Sequence, residues 1–227
     1  MDETALSISS KPLPVLARKG SRHVGRLRAE KSRLITAIYA CCASGKYVPP
    51  LMVFPGKINE DMFEGAPVGS VGTSSPSGWF NENVFVLCVK HFDEFVKASS
   101  NNPMFLILYG HTSHMSYGAI IYCIERDITM ITLPSHASHK LQPLDVGVFK
   151  SLKSALKVAQ LNRLSHNIPK RITEAEIGRI FGHAYNISTQ IFHAINAFRA
   201  TGIEPLQSKY FFGIGFCSGK IFCRKIS

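Results

Sequence analysis

Residues 104–134 read MFLILYGHTSHMSYGAIIYCIERDITMITLP. Met104 to Leu108 is an unbroken apolar run of strand length, and it stops at Tyr109-Gly110-His111. A short run of this kind, bounded by turn residues, predicts a buried strand. The segment SYGAIIYCIERD (116–127) predicts a helix opened by Ser116, and ITMITLP (128–134) a second short strand stopped by Pro134. Strand, helix, strand in that order is a βαβ unit, which implies two parallel strands joined by a right-handed crossover. The residue just past the end of such a strand sits where open α/β sheets carry their chemistry. Tyr109, a bulky phenol, stands there.

Upstream, LITAIYACCASGKYVPPLMVF (34–54) reads as two strands joined by a hairpin turn at Ser44-Gly45-Lys46. Residues 55–78 are rich in Gly, Pro and Ser and predict a loop. NENVFVLCVKHFDEFVKAS (81–99) places Val84, Leu87, Cys88, His91, Phe92 and Phe95 at helical spacing, with Asn81 as N-cap. Downstream of the βαβ unit, the polar loop SHASHKLQP (135–143) leads to a long helix from about Leu144 to Leu164. A second helical region is expected over about 173–198. The coarse order ββ-α-β-α-β-α, then more helix, predicts an α/β layered domain with mixed strand directions. An RNase H-like mixed sheet flanked by helices fits this order, and pattern alone does not separate it from other α/β folds.

Composition narrows the partners. The chain has 227 residues, enough for a substantial core, and 26 Lys+Arg against 15 Asp+Glu give a net charge of +11. Such an excess favours a polyanion, most simply nucleic acid, through phosphate neutralisation; a merely soluble basic domain is the plain alternative. Basic residues crowd the irregular segment 1–33, among them Lys11, Arg18, Lys19, Arg22, Arg26, Arg28, Lys31 and Arg33. The six cysteines form no C-x-x-C pair and read as small buried hydrophobes in a reduced compartment. No stretch approaches a membrane span, and residues 1–15 show no secretory signal, so a soluble nuclear or cytosolic protein is expected.

Several segments together resemble the DDE superfamily endonucleases (DDE-1) of the pogo, Tigger and jerky transposase group. They are DETALS (2–7), ITAIYACCASGKYVPPLMVFPGK (35–57), GWF (78–80), LILYGHTSH (106–114), ITLPSHASHKLQPLDVGVFKSLK (131–153) and FRATGIEPL (198–206). The most specific piece is LPSHASHKLQPLDVGVFK, a long ordered string. The resemblance implies an RNase H-like fold over 1–165, a helical C-terminal part of the same domain over 166–206, and a divergent tail over 207–227. It also implies DNA as partner, a nuclear setting, assembly as a homo-oligomer, and three carboxylates holding two Mg²⁺ (or Mn²⁺) ions.

Carried over by position, Asp2 matches the first carboxylate, at the end of the first strand, and Asp145 the third. The second position, which the family writes as D-G-H or D-N, is occupied here by Tyr109. The 35 residues between Tyr109 and Asp145 suit the short second interval of the group. A phenol with a pKa of about 10 is neutral at pH 7 and offers a weak oxygen, so loss of one metal is expected. Glu3 is given no metal role. The chain starts at Met1-Asp2, so the strand that the group carries before its first aspartate is expected to be missing, leaving a gap in the sheet.

Lys150, Lys153 and Lys157 follow helical spacing after Asp145 and would track a phosphate backbone; a solvated face is the alternative. His111, His114, His136 and His139 form two H-x-x-H pairs. These could suggest zinc, but the family places histidines here beside its Mg²⁺ site, which favours phosphate contact or a structural role. The functional expectation is nucleic-acid association with impaired cleavage. The alternatives are an active Mg²⁺-dependent endonuclease using Asp2 and Asp145, and a non-functional transposon relic.

Overall fold

The structure is a computed structural model that describes residues 1–7, 19–20, 34–110, 116–134, 137–166 and 172–207. Strand β1 (Asp2–Ser7) pairs antiparallel with β2 (Leu34–Cys41), and β2 pairs antiparallel with β3 (Tyr47–Pro55). The β2–β3 turn is the expected hairpin, with Gly45 at φ +93°, a conformation that glycine adopts without strain. Strand β4 (Val71–Ser75) adds to β3 in parallel. After helix α1 (Glu82–Val96) comes the βαβ unit: β5 (Met104–Tyr109), α2 (Tyr117–Glu125) and β6 (Ile128–Leu133), with β5 and β6 parallel and Tyr109 opposite Leu133. The fold is α/β with mixed strand directions, as expected.

Two expectations are corrected. The segment 55–78 is not all loop: it holds β4 and a 3₁₀ turn at Glu60–Phe63. A strand spelled Val-Gly-Thr-Ser-Ser is specified by its neighbours more than by propensity. Gly72 lies flush under the Phe63 ring, and Ser75 Oγ donates to the Trp79 carbonyl at 2.9 Å. Nor does Asp2 end a strand. Asp2–Ser7 is itself a strand, with Asp2 at its beginning instead of its end. The described strands form one sheet in the order β1-β2-β3-β4 and a second of β5-β6. What joins them at the backbone is the Met1 ammonium, which donates to the Ile107 carbonyl at 2.7 Å.

Downstream, the short helix α3 (Ser138–Leu141) leads into a π-helical turn at Leu144–Val148, then α4 (Phe149–His166), α5 (Ile177–Ser188) and α6 (Ile191–Thr201). The helical region expected over 173–198 is therefore two helices. One face of the four-stranded sheet, with Leu6, Ile35, Tyr39, Met52 and Phe54, packs on Leu144, Phe149, Leu152 and Phe181. The opposite face, through Ile38, Leu51 and Val53, meets Val84 and Cys88 of α1. Leu106 and Leu108 of β5 and Ile128 of β6 pack with Phe85, Val89 and Phe92 of α1 and with Ala119 and Cys123 of α2. Sheet strands thus lie between two helical layers, which is why β2 is buried along both faces.

Helix α1 starts where its sequence says: Asn81 Oδ1 accepts the Val84 N–H at 3.0 Å. Leu87 and Phe95, expected on its core face, are exposed. Buried Asp93 ties α1 to α2, accepting from Tyr122 Oη at 2.8 Å and from the Ala98 N–H at 3.2 Å, with Arg126 Nε 3.6 Å away. Cys88 and Cys123 are buried as expected, whereas Cys42 is exposed at the hairpin.

Helix α5 reaches the 60s loop only because Gly182 has no side chain. A Cβ there would lie 1.9 Å from the Gly65 carbonyl oxygen, which is backbone and cannot swing away. Gly182→Ala is expected to destabilise the fold by about 1–3 kcal/mol despite its better helix propensity. A thermal melt reads this directly; a midpoint equal to or above that of the unaltered chain would show that the close approach does not matter.

Candidate metal and nucleic-acid site

Asp2 opens β1 and is 8% exposed. Burial pushes its carboxyl up to about 7, and the negative charges of Glu3 and Asp145 push the same way, against the terminal ammonium and the Glu3 backbone N–H. Asp145 is the second residue of the π-helical turn and is solvent-exposed. Partial burial raises its carboxyl too, with Lys153 opposing, Glu3 adding and His139 opposing. The two aspartates, 143 positions apart in sequence (145 − 2), are therefore brought within electrostatic reach of each other.

Tyr109 is the last residue of β5 and half-buried. Its strand meets the start of β1 through the Met1–Ile107 hydrogen bond, so Tyr109 stands at the same end of the sheet as Asp2. Lys150, Lys153 and Lys157 are exposed on α4, and His139 is exposed on α3. Lys153 lies over the Phe149 ring, 6.0 Å from its centroid, and Lys153 and His139 both act on Asp145 through their charge. His111, His114 and His136 lie outside the described residues, as does the basic segment apart from Lys19.

Two residues matter more than their sequence context indicated. Glu3, given no metal role from the sequence, has a charge that acts on both aspartates. Gln142 is 1% exposed and donates through Nε2 to the Met1 carbonyl at 3.1 Å. The only sequence cue to Gln142 was its place in the string LQPLD.

Among the described residues, no group of three or more His, Cys, Asp or Glu is arranged to hold a metal ion. Two carboxylates are what remain. Magnesium takes hard oxygen ligands, often one or two carboxylates with water and phosphate completing an octahedron. The negative charge of Asp145 acting on the buried Asp2 is what a divalent cation would relieve. The donor set suits one such ion. Among the described residues, no third His, Cys, Asp or Glu completes a metal-holding group with Asp2 and Asp145.

A family model described as DDE superfamily endonuclease matches residues 31–204, and the chain belongs to that family. The endonucleases of this superfamily generally use Mg²⁺, so that metal is implied here, and the family implies a DNA substrate. The matched stretch contains Tyr109 and Asp145 but begins after Asp2. The MFS-type transporter clz9 of Cochliobolus lunatus is 31% identical over 198 residues, which cover 85% of this chain and 21% of that protein. Among the described residues, no helix is long and apolar enough to cross a membrane. No solved structure matches the chain.

The raised carboxyls set a pH dependence. An unfolded aspartate titrates near 3.8, the folded Asp2 near 7. Between those values the folded state keeps a proton that the unfolded state has lost, so stability falls as pH rises. Thermal midpoints measured in EDTA should therefore drop from about pH 4.5 to about pH 7 through this group, and Asp2→Asn should flatten the profile. An unchanged slope in Asp2→Asn would show that Asp2 is not the titrating group.

Proposed function

We propose that the chain is an RNase H-like domain derived from a transposase of the pogo, Tigger and jerky group, which associates with DNA in the nucleus and cleaves it poorly. The observation that supports this is the charge of Asp145 acting on the buried Asp2 and that of Lys153 acting on Asp145, with Tyr109, at the end of β5, read as the family's second position. When bound, a divalent ion would polarise a phosphoryl oxygen and lower the pKa of a coordinated water. Asp2 and Asp145 would hold such an ion. Tyr109, a phenol, stands where the family writes its second carboxylate and is a poor ligand for magnesium, so the paired-ion arrangement for in-line displacement would lose one of its holders. The wider assembly, any homo-oligomer and the DNA sequence preference belong to the same proposal.

The cationic flank supports the association. Lys150, Lys153 and Lys157 recur along the exposed side of α4, beginning five residues past Asp145 (150 − 145). Lysines so placed can neutralise successive phosphates without reading sequence, which makes binding steeply salt-dependent. A second reading, an active endonuclease using one metal, is favoured by the survival of both Asp2 and Asp145. It requires that Asp145→Asn abolish a measurable activity of the unaltered chain.

The test is nicking of supercoiled plasmid in Mg²⁺, with duplex DNA affinity measured in parallel over a salt series. The unaltered chain should bind DNA and nick negligibly, and Tyr109→Asp should raise nicking by at least tenfold. Each Lys→Ala change at 150, 153 or 157 should lower the salt slope by about one phosphate contact. Nicking by the unaltered chain at the rate of Tyr109→Asp would overturn the impairment. A salt slope unchanged in the triple lysine variant would remove α4 from the DNA interface.

A further inference from the structure

Gln142 has no role in the site as described so far, yet its geometry links every part of it. Its backbone belongs to the segment that carries Asp145: its N–H donates to the Ser138 carbonyl at 2.9 Å, and its carbonyl accepts the Val146 N–H at 3.1 Å. Its side chain leaves that segment and reaches the other carboxylate's strand, Nε2 donating 3.1 Å to the carbonyl of Met1, the residue before Asp2. Met1 in turn bonds through its nitrogen to Ile107, two positions before Tyr109. Met1, the residue just before β1, is thus fixed on one side to the strand of Tyr109 and on the other to the segment leading into the turn of Asp145.

The opposite flank of that turn is equally constrained. A Cβ on Gly147 would lie 2.5 Å from Ala197 Cβ and 3.0 Å from Ala197 Cα, so α6 packs directly on the π-helical backbone. Pressed by α6 on one side, the turn is held to β1 on the other by the Gln142 amide. That amide is 1% exposed, so water does not compete for the bond. Loss of the donor leaves the Met1 carbonyl without it and frees the turn to shift relative to Asp2. A π-helical turn is a strained, locally widened piece of helix, and such turns recur at functional sites.

We infer that Gln142 is a positioning residue for the divalent-metal site, setting the separation of Asp2 and Asp145 by tethering the Asp145 turn to the Met1 carbonyl; this rests on the carboxylate-pair reading above. Gln142 does not ligate the ion. Its effect is on how well the two carboxylates are placed to receive one. Removal of a partner that orients metal ligands typically weakens metal affinity about 10–100-fold.

The experiment is Mn²⁺ titration of the whole chain, followed by loss of the free-ion six-line electron paramagnetic resonance signal, at a temperature well below every variant's melt. Gln142→Met keeps length and apolar volume and removes the donor. Gln142→Leu is a second variant of similar bulk, should the first be insoluble. Either should weaken Mn²⁺ binding about tenfold or more. Asp145→Asn should abolish it, while Gly182→Ala, destabilised far from the site, should leave it within about twofold. DNA affinity in EDTA should stay within about twofold of the unaltered chain in both Gln142 variants. Binding of Mn²⁺ by the Gln142 variants as tight as in the unaltered chain, with Asp145→Asn defective, would overturn the tether alone. Equal weakening in Gly182→Ala would reduce it to general destabilisation and overturn it too. Absence of Mn²⁺ binding in the unaltered chain would overturn the carboxylate-pair reading, and the tether with it.

Discussion

Met1 is bonded at both ends, its nitrogen to Ile107 of β5 and its carbonyl to Gln142 ahead of the π-helical turn, and the proposed site depends on that junction. The described sheet is in two pieces, β1 to β4 and β5 with β6. Helix α1 bridges them through apolar contacts, packing Val84 and Cys88 on one and Phe85 and Val89 on the other. Such contacts hold layers together but are not directional. The two hydrogen bonds at Met1 are, and they fix where Asp2, Tyr109 and the Asp145 turn lie with respect to each other. Buried backbone groups need partners, so these bonds are costly to leave unmade.

Around this junction the net effect on both aspartates is to raise their carboxyls, with cations opposing in part. Asp2 is buried beside Glu3 and within reach of Asp145, and burial with like charge raises the carboxyls instead of lowering them. A site arranged only for stability would pair each acid with a base. Lys153 and His139 offset Asp145 in part, and both are exposed. The result is a small acidic centre bordered by a basic helix, in a chain whose net charge is +11. A metal ion and a polyanion would both be favoured by that distribution, one at the centre and one along the flank.

The parts of the fold that were legible in the sequence are those whose cause is local. The run Met104–Leu108, the cap at Asn81 and the turn at Gly45 each carry their own signal, and each forms the element it predicts. β4 was not legible, because Gly72 and Ser75 earn their places through Phe63 and Trp79 and have little strand propensity. The break between α5 and α6 has no Gly or Pro to announce it. There, Ser188 Oγ and Thr189 Oγ1 both donate to the Tyr185 carbonyl, so side chains take the place of the helix's own continuation. For the proposed site, Tyr109 and Asp145 were nominated from family motifs. The Gln142 amide was not, since it acts on a residue 141 positions away.

The central claim is that Tyr109 reduces a two-ion site to one held by Asp2 and Asp145. The stoichiometry of Mn²⁺ binding, measured by calorimetric titration in the presence of a short duplex DNA, tests it most directly. One ion bound per chain, falling to none in Asp145→Asn, is the result this account predicts. Two ions per chain would contradict it, because a second would need a ligand that Tyr109 does not provide.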